Sequence, residues 1–118
     1  MSRGIVVFAH GSRIEAANEA VRSAARELAR TGGLDHVEPA FLELGQPDLA
    51  GAVTRLLESG VRRITVVPYF LTLGTHLERD LPRLVADIAK AHQDLDIDVT
   101  APLDGHPALI QALLDRAR

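Results

Sequence analysis

His10 closes the apolar run Val6-Val7-Phe8-Ala9 and is followed by Gly11, Ser12 and Arg13. An imidazole held out at the end of such a run is either a turn residue or the first piece of a site. A second imidazole, His76, follows Pro68-Tyr69-Phe70-Leu71-Thr72-Leu73-Gly74-Thr75, and a carboxylate, Glu43, lies within Phe41-Leu42-Glu43-Leu44. Asp104 and His106 fall in a turn near the end of the chain. Imidazole and carboxylate together suit divalent first-row ions such as cobalt, nickel, iron and zinc. Neutral imidazole is also a competent base near neutral pH. The pattern H-E-x-x-H is absent, so any shared ion must be held by side chains from separate loops. Two imidazoles with one carboxylate make an open site, suited to catalysis or transfer, whereas structural zinc is four-coordinate and closed.

Each of these residues also has a plainer reading. His10 can bond to backbone in its turn. Glu43 can face solvent or cap a helix, and His106 before Pro107 suits the turn that leads into a helix. Arg13 and Arg79 read equally well as solvated charges. Ser12 near a helix start suggests phosphate binding, but Ala9-His10-Gly11-Ser12-Arg13 lacks the glycine density of a phosphate loop. It is not G-x-S-x-G either, which disfavours a serine-hydrolase elbow.

The elements around these residues alternate. Gly4 to Ala9 reads as a strand buried on both faces. From about Glu15 to Arg30, the residues Ala17, Val21, Ala24, Ala25 and Leu28 form one apolar stripe, predicting an amphipathic helix ended by Gly32-Gly33. Val37 to Leu44 is a second strand, and Pro39 places it at an edge. A helix follows from Pro47 or Asp48 to about Ser59. Arg62 to Phe70 is the third strand, Leu71 to Thr75 a loop, and Asp80 before Leu81-Pro82 an N-cap region for a helix to about His92. Ile97 to Ala101 is the fourth strand, and a last helix runs from about Pro107 to Ala117. Short connections between four strand–helix pairs predict an α/β domain, with a four-stranded, mostly parallel sheet and helices on both faces. In such sheets function gathers beyond the carboxyl ends of the strands. His10, Glu43, His76 and His106 all fall on that rim.

Size and composition narrow the rest. The 118 residues form one domain, 1–118, long enough to bury a core. The hydrophobic fraction of 47% and charged fraction of 25% are those of a soluble globular protein. No apolar run is long enough to span a bilayer, and no secretion signal is read at the N-terminus. The absence of cysteine excludes disulfides and thiolate chemistry and agrees with a cytoplasmic location. A net charge of −3, no tryptophan and one tyrosine argue against nucleic acid as a partner.

The strings Val6 to Arg13 with Asn18, Phe41 to Leu44 with Pro47, and Val66 to Pro82 resemble the small sirohydrochlorin chelatases, the CbiX/SirB type of class II tetrapyrrole chelatases. The resemblance runs in order along nearly the whole chain. It implies the chelatase variant of a flavodoxin-like sheet. It also implies insertion of a divalent metal substrate, Co²⁺ first or else Fe²⁺ or Ni²⁺, into sirohydrochlorin for cobalamin or sirohaem biosynthesis. No organic cofactor is implied. His10 and His76 match the family's two active-site histidines, expected as metal ligands and catalytic groups, and Glu43 matches its acidic residue. Arg13 is expected to meet substrate carboxylates, and Leu71 and Leu73 to offer an apolar surface to the ring. Longer members carry two such domains, so a homodimer is expected here. The rival reading is a non-enzymatic metal or tetrapyrrole carrier on the same scaffold.

Overall fold

A computed structural model describes residues 3–118. Eight elements follow one another: β1 (Arg3–Ala9), α1 (Glu15–Gly32), β2 (Val37–Phe41), α2 (Leu49–Glu58), β3 (Arg63–Pro68), α3 (Gly74–Ala91), β4 (Asp96–Val99) and α4 (Pro107–Ala117). The sheet order is β2-β1-β3-β4 and every pairing is parallel. The chain steps outward from β1 to β2, then crosses back over β1 to β3 and continues to β4. Right-handed crossovers in opposite directions place α1 on one face, and α2 and α3 on the other. Cover on both faces is why β1 and β3 are near-continuous apolar runs. Pro39 sits opposite Val7 on the edge strand β2, where its missing N–H breaks no ladder.

The principal core lies beneath α2 and α3. Val6, Phe8, Ile64 and Val66 point there and meet Leu49, Val53 and Leu56 of α2 and Leu77, Leu81 and Ile88 of α3. The helix ends follow their sequence signals. Asp48 caps α2 by accepting from the Gly51 amide at 2.8 Å. Gly33 ends α1 in the left-handed region at φ 61°, with its amide on the carbonyls of Ala29 and Arg30. His106 caps α4, its Nδ1 accepting from the Ala108 amide at 3.0 Å, which is the plain role its position before Pro107 suggests. Among the described residues no helix is long and apolar enough to cross a membrane.

Two expectations are corrected. α3 starts at Gly74, not near Asp80, so His76 belongs to the first turn of a helix rather than to a loop. Pro82 then lies inside the helix instead of in its first turn. The burial of Leu77, Leu81 and Ile88 along one stripe holds those residues helical despite the break. The inner stripe of α1 also differs from the predicted one. Ala25 is buried, Val21 and Ala24 are half-buried, and Leu28, though partly exposed, faces Val7 and Val67 of the sheet, but Ala17 is exposed and the polar residue Asn18 beside it is buried instead.

Candidate functional site

The carboxyl ends of the strands are joined past the point where the strands themselves stop. The Leu42 amide donates to the Ala9 carbonyl at 2.9 Å, and the Glu43 amide to the His10 carbonyl at 3.1 Å. On the other side of β1, the Tyr69 amide donates to the Phe8 carbonyl at 2.7 Å. Farther along the rim, the amides of Leu103 and Asp104 donate to the carbonyls of Phe70 and Leu71, both at 2.9 Å. A parallel ladder thus continues into the loops, so backbone hydrogen bonds help hold the residues just beyond it.

That ladder sets His10 beside Glu43. The imidazole Nδ1 lies 4.0 Å from the carboxylate Oε1, and the two side chains are 55% and 58% exposed. In so exposed a setting their attraction amounts to under about 1 kcal/mol. The pairing is therefore a product of the backbone geometry, not its cause. Gly11 makes the approach possible. Its φ is +96°, and a Cβ there would lie 1.7 Å from the Glu43 carbonyl oxygen. Only a residue without a side chain lets the two loops touch at this point.

The other candidates are placed as follows. His76 is exposed in the first turn of α3, reached from β3 by residues 69–73. By topology it shares the rim with His10, because β1 and β3 are paired neighbours. Among the described residues, however, no three histidine or carboxylate side chains are gathered into a group that could hold an ion. The structure brings His10 and Glu43 together and does not add His76 to them. Arg13 is exposed on the His10 loop, and Arg79 pairs with Asp80 at 3.6 Å. Leu71 is exposed, whereas Leu73 is half-buried and packs against the core. The Ser12 amide is occupied by the Asn18 side chain at 2.9 Å, and the Ser12 hydroxyl accepts from the Ile14 amide at 3.0 Å. Those internal bonds leave little of Ser12 for a phosphate.

A cavity of about 400 Å³ lies elsewhere. It opens between α2 and α3 over Phe8 and Phe41, and none of His10, Glu43 and His76 lines it. Its walls are mostly apolar, so it offers packing space rather than chemistry. The rim itself is open to solvent within one copy of the chain.

Two groups that brace the Glu43 loop carry no role in the sequence reading. Asn18 bonds to both rim loops from α1. One turn farther on, Arg22 places its guanidinium 5.3 Å over the Phe41 ring and reaches the Gln46 carbonyl at 3.4 Å. The available signal was a polar side chain interrupting the apolar stripe of an amphipathic helix, since a buried amide needs partners.

Comparison with known proteins agrees with this architecture. Residues 4–118 match the family model described as CbiX. The chloroplastic sirohydrochlorin ferrochelatase of Arabidopsis thaliana is 34% identical over 113 residues, covering 96% of this chain and 50% of that protein. The chain thus spans half the length of that relative. The sirohydrochlorin cobaltochelatase of Methanopyrus kandleri is 29% identical, with 97% of this chain and 94% of that one covered. Among solved structures, a CbiX protein assigned to cobalamin (vitamin B12) biosynthesis in Marinobacter aquaeolei superposes with a TM-score of 0.85 at 30% identity. That match covers 98% of this chain and 93% of the other.

Proposed function

This chain belongs to the CbiX family, and on that premise we propose that it is a metal chelatase, inserting a divalent ion into sirohydrochlorin. The metal is a substrate, with Co²⁺ the first choice and Fe²⁺ or Ni²⁺ the alternatives. The observation that carries the reading is the exposed His10–Glu43 pair, 4.0 Å apart on a rim braced by backbone hydrogen bonds. The names of relatives support the substrate, since both the Arabidopsis and the Methanopyrus proteins are sirohydrochlorin chelatases.

The chemistry asks three things of the protein. The ion must exchange water for macrocycle nitrogens, two pyrrole N–H protons must leave, and the ring must lie against the ion. His10 and His76 supply imidazole ligands on the rim, and exposed ligands of this kind release an ion as readily as they take it. A neutral His10 also accepts one of the departing protons, and the Glu43 carboxylate then faces the imidazolium. Water or a second side chain takes the other proton. Arg13, exposed two residues after the Gly11 turn, is placed to meet the carboxylates of the tetrapyrrole.

A large macrocycle needs more wall than this open rim offers, and the cavity of about 400 Å³ between α2 and α3 is not lined by His10, Glu43 or His76. The active form is therefore a homodimer. α4 supports this: it buries none of its residues and exposes Ile110, Leu113 and Leu114, spaced for one helical face.

The test is anaerobic spectrophotometry of sirohydrochlorin with Co²⁺, Fe²⁺ and Ni²⁺ in turn. Catalytic turnover is expected with at least one ion, and its loss in folded His10→Ala and His76→Ala variants. Stoichiometric binding without turnover would make the protein a carrier. Undiminished turnover in both variants would remove the two histidines from the mechanism.

A further inference from the structure

Asn18 is 1% exposed, and its carboxamide makes three hydrogen bonds. Its Oδ1 accepts from the Ser12 amide at 2.9 Å, and its Nδ2 donates to the Ser12 carbonyl at 2.8 Å and to the Leu44 carbonyl at 2.9 Å. Both amide hydrogens are thereby used. Ser12 lies two residues after His10, and Leu44 one residue after Glu43. A single side chain on α1 is thus bonded to both loops that carry the pair. It treats Ser12 as a neighbouring strand would, taking its N–H and its C=O together.

The Leu44 bond has a further consequence. Leu44 has φ +59°, a left-handed conformation unfavourable for a leucine. The bond from Asn18 to the Leu44 carbonyl helps hold that turn, and the turn sets the direction in which Glu43 leaves β2. Arg22, one helical turn on, holds the far end of the same loop through Gln46 and Phe41. α1 therefore serves as a jig for the Glu43 loop, and Asn18 is the one group in it that also grips the His10 loop.

We propose that Asn18 is a positioning residue for metal insertion: its carboxamide ties the His10 loop to the Glu43 loop and so fixes the spacing of the pair. The inference rests on the chelatase reading for its kinetic consequence, but the tie itself does not. Asn18→Asp is the sharpest perturbation. It keeps the shape and an acceptor for Ser12 but loses both donors, leaving the Ser12 and Leu44 carbonyls facing a carboxylate. Ala25→Gly is the control. It lies two turns along the same helix, is buried, and weakens α1 without touching either loop.

Two measurements decide the matter. The first is hydrogen exchange of the Glu43 amide, which needs no turnover. Exchange there is expected to quicken by about tenfold or more in Asn18→Asp, which loses the donor to Leu44, with Val66 and Ile64 unchanged and no such pattern in Ala25→Gly. The second is kinetics with sirohydrochlorin and Co²⁺. A kcat lower by about 10- to 100-fold is expected, since displacement of about 1 Å is penalised on that scale. KM should move less than kcat, because the apolar loop after β3 that faces the ring is untouched. If Asn18→Asp does not fold, Asn18→Ser, which leaves room for a bridging water, carries the same two measurements. Wild-type exchange at Glu43 would overturn the tie, and wild-type kcat with faster exchange would overturn its importance for the reaction. A wild-type protein without turnover would sink the chelatase reading alone and leave exchange to judge the tie.

Discussion

Replacing Gly11 with alanine should separate the two loops that carry His10 and Glu43. The added Cβ would stand 1.7 Å from the Glu43 carbonyl oxygen. A comfortable C···O contact begins at about 3.3 Å, so the loops must part by about 1.6 Å. The Glu43 amide now sits 3.1 Å from the His10 carbonyl. Parting by that amount breaks this hydrogen bond, a loss of about 1 kcal/mol. Holding an alanine at φ +96° adds roughly 1–2 kcal/mol. Together the destabilisation is about 2–3 kcal/mol, a fall in melting temperature of about 10 °C for a chain of this size. The functional effect should be larger than the thermal one. An error of about 1 Å in a catalytic constellation lowers rate by about 100-fold, and here the error falls directly on the pair. Urea unfolding and anaerobic chelation of sirohydrochlorin with Co²⁺ read the two effects separately. A Gly11→Ala protein with wild-type melting and wild-type turnover would show that the loops do not meet as described.

Three other outcomes are expected. Asp48→Ala removes the acceptor of the Gly51 amide and should lower stability by about 1 kcal/mol in urea unfolding, leaving chelation unchanged. Leu113→Arg places a charge on the exposed face of α4 and should turn a dimer into a monomer by light scattering; a variant that stays dimeric would move the interface elsewhere. The Glu15 carboxyl is held below its usual 4.5, first by the hydrogen bond from Arg22 and then by its charge, and Glu19 is lowered by Arg26 and Arg22. Carboxyls lowered by folding stabilise the native state above their unfolded values, and that contribution is lost as pH falls through the folded ones. Glu15→Gln with Glu19→Gln should therefore flatten the decline of stability below about pH 4.5, measured by urea midpoints across the acid range. An unchanged acid limb would show that these carboxyls do not contribute to it.

Much of the fold was legible because a parallel sheet covered on both faces writes itself as apolar runs between amphipathic stretches. β1 and β3 read clearly for that reason, and Pro39 marked β2 as an edge because proline has no N–H for a second neighbour. The start of α3 was not legible. Pro82 drew the expected N-terminus to Asp80, since proline is tolerated in a first turn, and the buried stripe of Leu77, Leu81 and Ile88 overrode that preference. The side-by-side placement of His10 and Glu43 follows from two parallel strands ending level with each other. Asn18 entered the reading only within the family string and was given no role, because a count of apolar residues along α1 passes over a polar one, although that residue is the most deeply buried on the helix. Nothing in the spacing of Gly11 reveals the backbone it touches, which lies 32 positions away in the chain.

Pro82 also divides α3 mechanically. Proline donates no hydrogen bond to the carbonyl four residues earlier, that of Glu78, and its ring crowds the same group. The turn bearing His76 is therefore moored to the body of its helix by one strut fewer than an unbroken helix would have, while His10 rests against a fully laced backbone. The two imidazoles are therefore expected to differ in compliance, one sprung and one anchored. Backbone relaxation of residues 74–78 against 10–13 reads that contrast directly. On the proposed chelatase reading, an ion held by both would be surrendered first by the softer arm, which would give the handover a direction.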